Sequence, residues 1–145
     1  AGASKGTSIE ASSAYLDLVR DEEFHNVIAK KVNFEIGDFT TMASDVKSFD
    51  IVTLDKVICC YDDMSELVGL SSKIARKIYA VIYPRSVWWT RLLFPMMNFY
   101  PIIKGNSFRV FIHPTEKVEE ILFDNGFKRN YYTKTFFWQI AIFTR

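Results

Sequence analysis

Three acidic residues each follow an apolar, strand-forming run: Glu10 closes TSIE, Asp38 follows VNFEIG and Asp55 follows FDIVTL. A carboxylate at the end of a strand can accept two hydrogen bonds from a vicinal diol such as that of ribose. A second acid, or its neighbouring backbone, can accept from a base amino group while the adjacent Phe39 covers the ring. Asp55 would then face the reacting end of the ligand. Any one of these acids reads equally well as a solvated turn residue. Three at equivalent positions point to a site.

Other reactive side chains carry less. His113 ends the apolar run FRVFI just before Pro114 and is a candidate general base, although a histidine that caps or packs at a turn is the commoner case. His25, near the end of an expected helix, suits that helix's C-terminus. Tyr61 can line a pocket or sit in the core with its hydroxyl at the surface. Cys59 and Cys60 are adjacent, so a disulfide between them is strained and no CxxC motif exists. Both are expected to be reduced thiols in a buried segment, and neither has a base partner in sequence that would make it a nucleophile.

Positioning these residues falls to alternating strands and helices. KGTSIE is a strand, and Ser12 or Ser13 can cap a helix over 14–26 with Tyr15, Leu18 and Val19 on its apolar face. VNFEI alternates as a second strand, ends at Gly37-Asp38, and is followed by polar turns. FDIVTL is a third strand of the fully buried, parallel kind. A helix from Asp63 or Ser65 to about Ala75 leads into a fourth buried strand, IYAVIY, halted by Pro84. Residues 87–107 form an aromatic insertion, helical but broken by Pro95 and Pro101, in which Trp88, Trp89, Phe94, Phe99 and Tyr100 crowd together and Met96 and Met97 add adaptable apolar surface. Its three readings are a lid over an apolar substrate, which comes first, a membrane-surface helix and a dimer interface, with Arg85, Arg91 and Lys104 at its margins able to meet an anionic group. Simple core packing is nearly as good an account. A helix from about Thr115, ended by Asn125-Gly126, precedes two strand-like runs over 128–136 and 138–145 that read as a hairpin or one bulged strand. The expectation is one α/β domain over 1–145: a mainly parallel sheet with helices on both faces and an antiparallel end, binding ligands at the strands' carboxyl edge.

Composition narrows the field. The 145 residues, 49% hydrophobic and 24% charged, make a globular domain rather than a disordered chain. With 18 Lys+Arg against 17 Asp+Glu, the formal charge is +1, too little for a broad phosphate track, so nucleic acid is not an expected partner. No run reaches the roughly 20 apolar residues of a membrane span, and the start lacks a secretory signal's layout, so the cytoplasm is the expected compartment.

TSIEAS, VNFEIGDF and FDIVTLDKVICCYDD, with a late NGF before the closing strands, together resemble the class I S-adenosylmethionine-dependent methyltransferases, specifically their small-molecule branch. That resemblance covers nearly the whole chain and rests on the order and spacing of short motifs. It implies a Rossmann-like fold, with S-adenosylmethionine as cofactor and methyl transfer to a small, partly apolar molecule. Glu10 would bind the ribose hydroxyls, Asp38 and Phe39 the adenine, and Leu54, Asp55 and Lys56 would border the methionine moiety and substrate. Lys56, Tyr61, Trp88 and Trp89 are the implied substrate contacts, while Asp55 and His113 are the candidates for catalysis. No metal is required, since the methyl donor is already activated. The family's first strand and Gly-rich loop, which precede the acid matched here by Glu10, have no counterpart in this sequence. The chain is therefore expected to be the larger, C-terminal part of such a domain, with the strand missing between TSIE and FDIVTL. A non-catalytic α/β module that uses the aromatic insertion for partner binding or self-association is the competing expectation.

Overall fold

The computed structural model describes residues 3–12, 31–105 and 109–145. The chain divides into two compact units, Ala1–Val46 and Lys47–Arg145. In the first, β1 (Gly6–Glu10) and β2 (Val32–Ile36) lie parallel and in register from Gly6 opposite Val32 to Glu10 opposite Ile36. The helix expected over 14–26 and its His25 lie outside the described residues. After β2 the structure corrects the expected turns to a one-turn helix, α1 (Phe39–Met42). Asp38 makes that possible as its N-cap, its carboxylate accepting from the Thr40 amide at 2.9 Å.

The second unit is built on a four-stranded sheet in the order β3-β4-β6-β5, from β3 (Phe49–Asp55), β4 (Ala75–Pro84), β5 (Lys128–Lys134) and β6 (Trp138–Thr144). β3 and β4 are parallel, and β6 runs antiparallel to both β4 and β5. The last two strands are thus a hairpin, with its irregularity between Arg129 and Tyr131. Between β3 and β4 come a 3-10 turn (Ile58–Cys60) and α2 (Met64–Ile74), capped by the Asp63 carboxylate on the Glu66 amide at 2.9 Å. After β4 come α3 (Trp88–Ile103) and α4 (Thr115–Asp124). Gly126, at φ +82°, closes α4 in the left-handed conformation that the Asn-Gly pair implies.

Alternation along β4 and β6 sends one face of each inward. Tyr79, Val81 and Tyr83 pair with Phe143, Ala141 and Gln139, all buried. Leu67 and Val68 of α2 and Val118 and Leu122 of α4 are buried with them. A side chain of this kind contributes about 1.5–3 kcal/mol on full burial. Polar groups in this core are matched: the Tyr79 hydroxyl meets Ser71 Oγ at 2.6 Å, and Gln139 Nε2 donates to the Pro84 carbonyl and to Thr115 Oγ1.

Two expectations are corrected here. β3 is not fully buried, since Ile51 is 55% exposed. Among the described residues β3 bonds only to β4, so it is an edge with a neighbour on one side. Nor do Pro95 and Pro101 break the aromatic segment, because α3 runs through both. A proline deletes one N–H donor but its φ suits a helix. Between the two prolines Asn98 holds α3 in place, its side chain bonding the Val110 carbonyl and amide at 2.8 Å each. No helix among the described residues is long and apolar enough to cross a membrane.

Candidate functional site

In the first unit, Glu10 is the last residue of β1 and Asp38 lies two residues beyond its partner Ile36, so both stand at the carboxyl edge of the parallel pair. The Gly37 amide donates to the Glu10 carbonyl at 3.0 Å, tying the two strand ends together. Glu10 is half-buried, and desolvation raises its carboxyl above the usual range. A carboxylate stripped of part of its water has unmet acceptor capacity that suits hydroxyl donors. Asp38 uses Oδ1 for the Thr40 amide and the Thr40 hydroxyl, both at 2.9 Å. Its carboxylate thereby starts α1, and Phe39 becomes the first helical residue beside it.

In the second unit, β3 brings Leu54 opposite Val81 and Asp55 opposite Ile82. Asp55 is exposed and belongs to the strand, as its final residue. The chain then turns at Lys56, whose φ of 57° is the left-handed conformation usual for glycine. Its amide donates to the Ile82 carbonyl at 2.8 Å and its ammonium sits 5.3 Å from the centre of the Trp138 ring.

The Lys56 carbonyl accepts from Cys59 Sγ at 3.2 Å and from Cys60 Sγ at 3.7 Å. Both thiols are free, but only Cys59 is buried, which corrects the expectation for Cys60. In a 3-10 turn successive side chains point about 120° apart, so neighbours do not share one buried face. Interaction between the two adjacent thiols lowers that of Cys60 to about 7, while the same neighbour and burial push that of Cys59 up.

His113 and Tyr61 come together, though not through the phenol: His113 Nε2 lies 2.8 Å from the Tyr61 carbonyl. A carbonyl only accepts, so Nε2 carries the proton and Nδ1 is the nitrogen with a lone pair when the ring is neutral. The Phe111 amide donates to the Cys59 carbonyl at 2.8 Å, so residues 109–113 are stitched to the turn after β3. His113 also lines an open cleft of about 320 Å³ with Asp62, Asp63, Ser65 and Lys117.

Trp89 stacks on Phe136 with ring centres 4.8 Å apart and meets the edge of Phe137 at 5.4 Å. Trp88, its neighbour, is 79% exposed. The aromatic run TFFW is the one signal in the sequence for this cluster, and nothing local links it to Trp89. Asn98 carries no signal of its own, because its partner lies twelve residues away in irregular chain.

The sequence matches no family model and no curated protein sequence. Solved structures do match. The magnesium protoporphyrin IX methyltransferase ChlM from Synechocystis PCC 6803, crystallised with bound SAH, superposes with a TM-score of 0.72 at 17% identity, over 96% of this chain and 63% of that one. An O-methyltransferase family protein from Burkholderia thailandensis superposes with a TM-score of 0.74 at 15% identity, over 97% of this chain and 43% of that one. This is the class I methyltransferase fold. The [4+2]-cyclase SpnF is also similar, at a TM-score of 0.71 and 11% identity over 97% of this chain and 66% of that one. The chain spans less than two thirds of the length of the first two neighbours.

Proposed function

We propose that this chain serves S-adenosylmethionine-dependent methyl transfer to a small, partly apolar molecule, as one methyltransferase-like domain over residues 1–145. The observation that carries the reading is Glu10: a partly desolvated carboxylate at the carboxyl end of a parallel strand, beside Asp38 and Phe39. Those residues fit the adenosine half of the cofactor. The Glu10 carboxylate accepts from the two ribose hydroxyls, which take the place of the water that burial strips from it. The Asp38 segment accepts from the adenine amino group, and Phe39 covers the base. When bound, the cofactor supplies a methyl group already activated on a sulfonium.

For the second unit, this reading assigns Leu54 and Asp55 to the methionine moiety and Lys56, Tyr61 and Trp89 to the substrate. The positive φ at Lys56 supports this reading, since backbone strain outside glycine collects at functional turns. His113 Nδ1 is the base where the methyl acceptor must lose a proton. Positioning contributes most of the rate, because the donor needs no further activation. The free thiols Cys59 and Cys60 fit a reducing compartment such as the cytoplasm. The test is calorimetric titration with S-adenosylhomocysteine: binding that Glu10→Ala abolishes supports the reading, and a folded chain that gives no heat overturns it.

A further inference from the structure

We propose that the outer face of α3 is an anchor for an anionic lipid surface. At 100° per residue, Trp88, Phe99, Leu92, Ile103 and Met96 fall within an arc of about 80°. Each is 63% exposed or more. The opposite side of the helix holds it to the body, through buried Phe94 and Thr90 and through the Asn98 bonds to Val110. The apolar surface continues past the helix. Trp89 stacks on Phe136, itself 67% exposed at the hairpin tip, and the Arg85 guanidinium fastens that tip by donating to the Thr135 and Phe136 carbonyls.

Charge decides what covers this face. The chain is nearly neutral, yet no Asp or Glu occurs between Glu66 and Glu116, or after Asp124. The segments that carry the apolar face, 85–104 and 134–138, contain Arg85, Arg91, Lys104 and Lys134 and no acid. Arg91, Lys104 and Lys134 are exposed. A second copy docked face to face would bring these cationic segments together with no acid in either copy of them. Anionic headgroups complement the same rim, while Trp88, Leu92, Met96 and Phe99 enter the boundary between headgroups and acyl chains. Membrane association of this kind is peripheral and reversible, requires no spanning helix, and is independent of the methyl-transfer reading.

The test is co-sedimentation of the full chain, without any adenosyl ligand, with phosphatidylcholine vesicles that contain or lack phosphatidylserine. The chain is expected to pellet with the anionic vesicles, on the order of tenfold more tightly than with neutral ones, and to be released by salt. Leu92→Gln with Phe99→Gln should abolish pelleting while the circular-dichroism melt stays in place, because both side chains face outward. Arg91→Glu alone should weaken anionic binding on the order of tenfold. A chain that stays in the supernatant, or that pellets equally with neutral vesicles, overturns the proposal. So does unchanged pelleting of the folded double variant. A stable lipid-free dimer in sedimentation velocity that the double variant converts to monomer would assign the face to a second copy instead.

Discussion

Glu10 sets ligand affinity against stability. Its folded pKa lies above the unfolded value, so the folded chain binds more protons than the unfolded one in the interval between them. The sign follows: Glu10 burial is tolerated below the unfolded value of 4.5, and that stability is lost as pH rises through the raised folded value. Glu10→Gln is therefore expected to melt higher than wild type at neutral pH, with the gap closing as pH falls below about 4.5, in parallel thermal melts across pH. At the same scale, Cys60 is expected to alkylate with iodoacetamide at neutral pH well before Cys59, as read by peptide mass spectrometry. Cys59→Ala, which removes the neighbouring thiol, should slow the Cys60 reaction. The residues ending strands were legible because strand alternation runs directly into them. The His113 contact with Tyr61 was not, since it joins positions 52 residues apart through a backbone carbonyl that no side-chain pattern announces.

Elements were legible where local chemistry and tertiary demand agree. Asp63 caps α2 and Asn125-Gly126 closes α4, as short-range signals require. They diverged at α3, where two prolines argue locally for a break and the Asn98 bridge to Val110 carries the helix through. Asn98→Ala is expected to cost about 1–3 kcal/mol in chemical denaturation, because it strands a part-buried amide and a carbonyl together. Gly126→Ala is a cleaner case. A Cβ there meets nothing closer than Arg145 Nε at 3.9 Å, so the expected loss of about 1–2 kcal/mol is backbone strain alone. β3 shows the reverse failure: its apolar run reads as buried, but burial depends on neighbours that sequence does not count.

At the scale of the molecule, the alternation of strands and helices with an antiparallel end was legible in the sequence, while the order β3-β4-β6-β5, which sets the last strand beside β4, was not. Handedness rules limit how parallel strands connect, but which strand the final hairpin pairs with depends on contacts far apart in sequence. Which surface stays apolar was not readable in the same way, because α3 is apolar on almost every side and only packing decides which side is left outward. The central claim is that the Glu10 edge receives an adenosyl ligand. The direct measurement is calorimetric titration of the 145-residue chain with S-adenosylhomocysteine, paired with Glu10→Ala and with circular dichroism to verify that both are folded. Micromolar binding by the wild type that is absent in the variant is the expected result. A folded wild-type chain that releases no heat, or a variant that binds as well as wild type, would contradict the account.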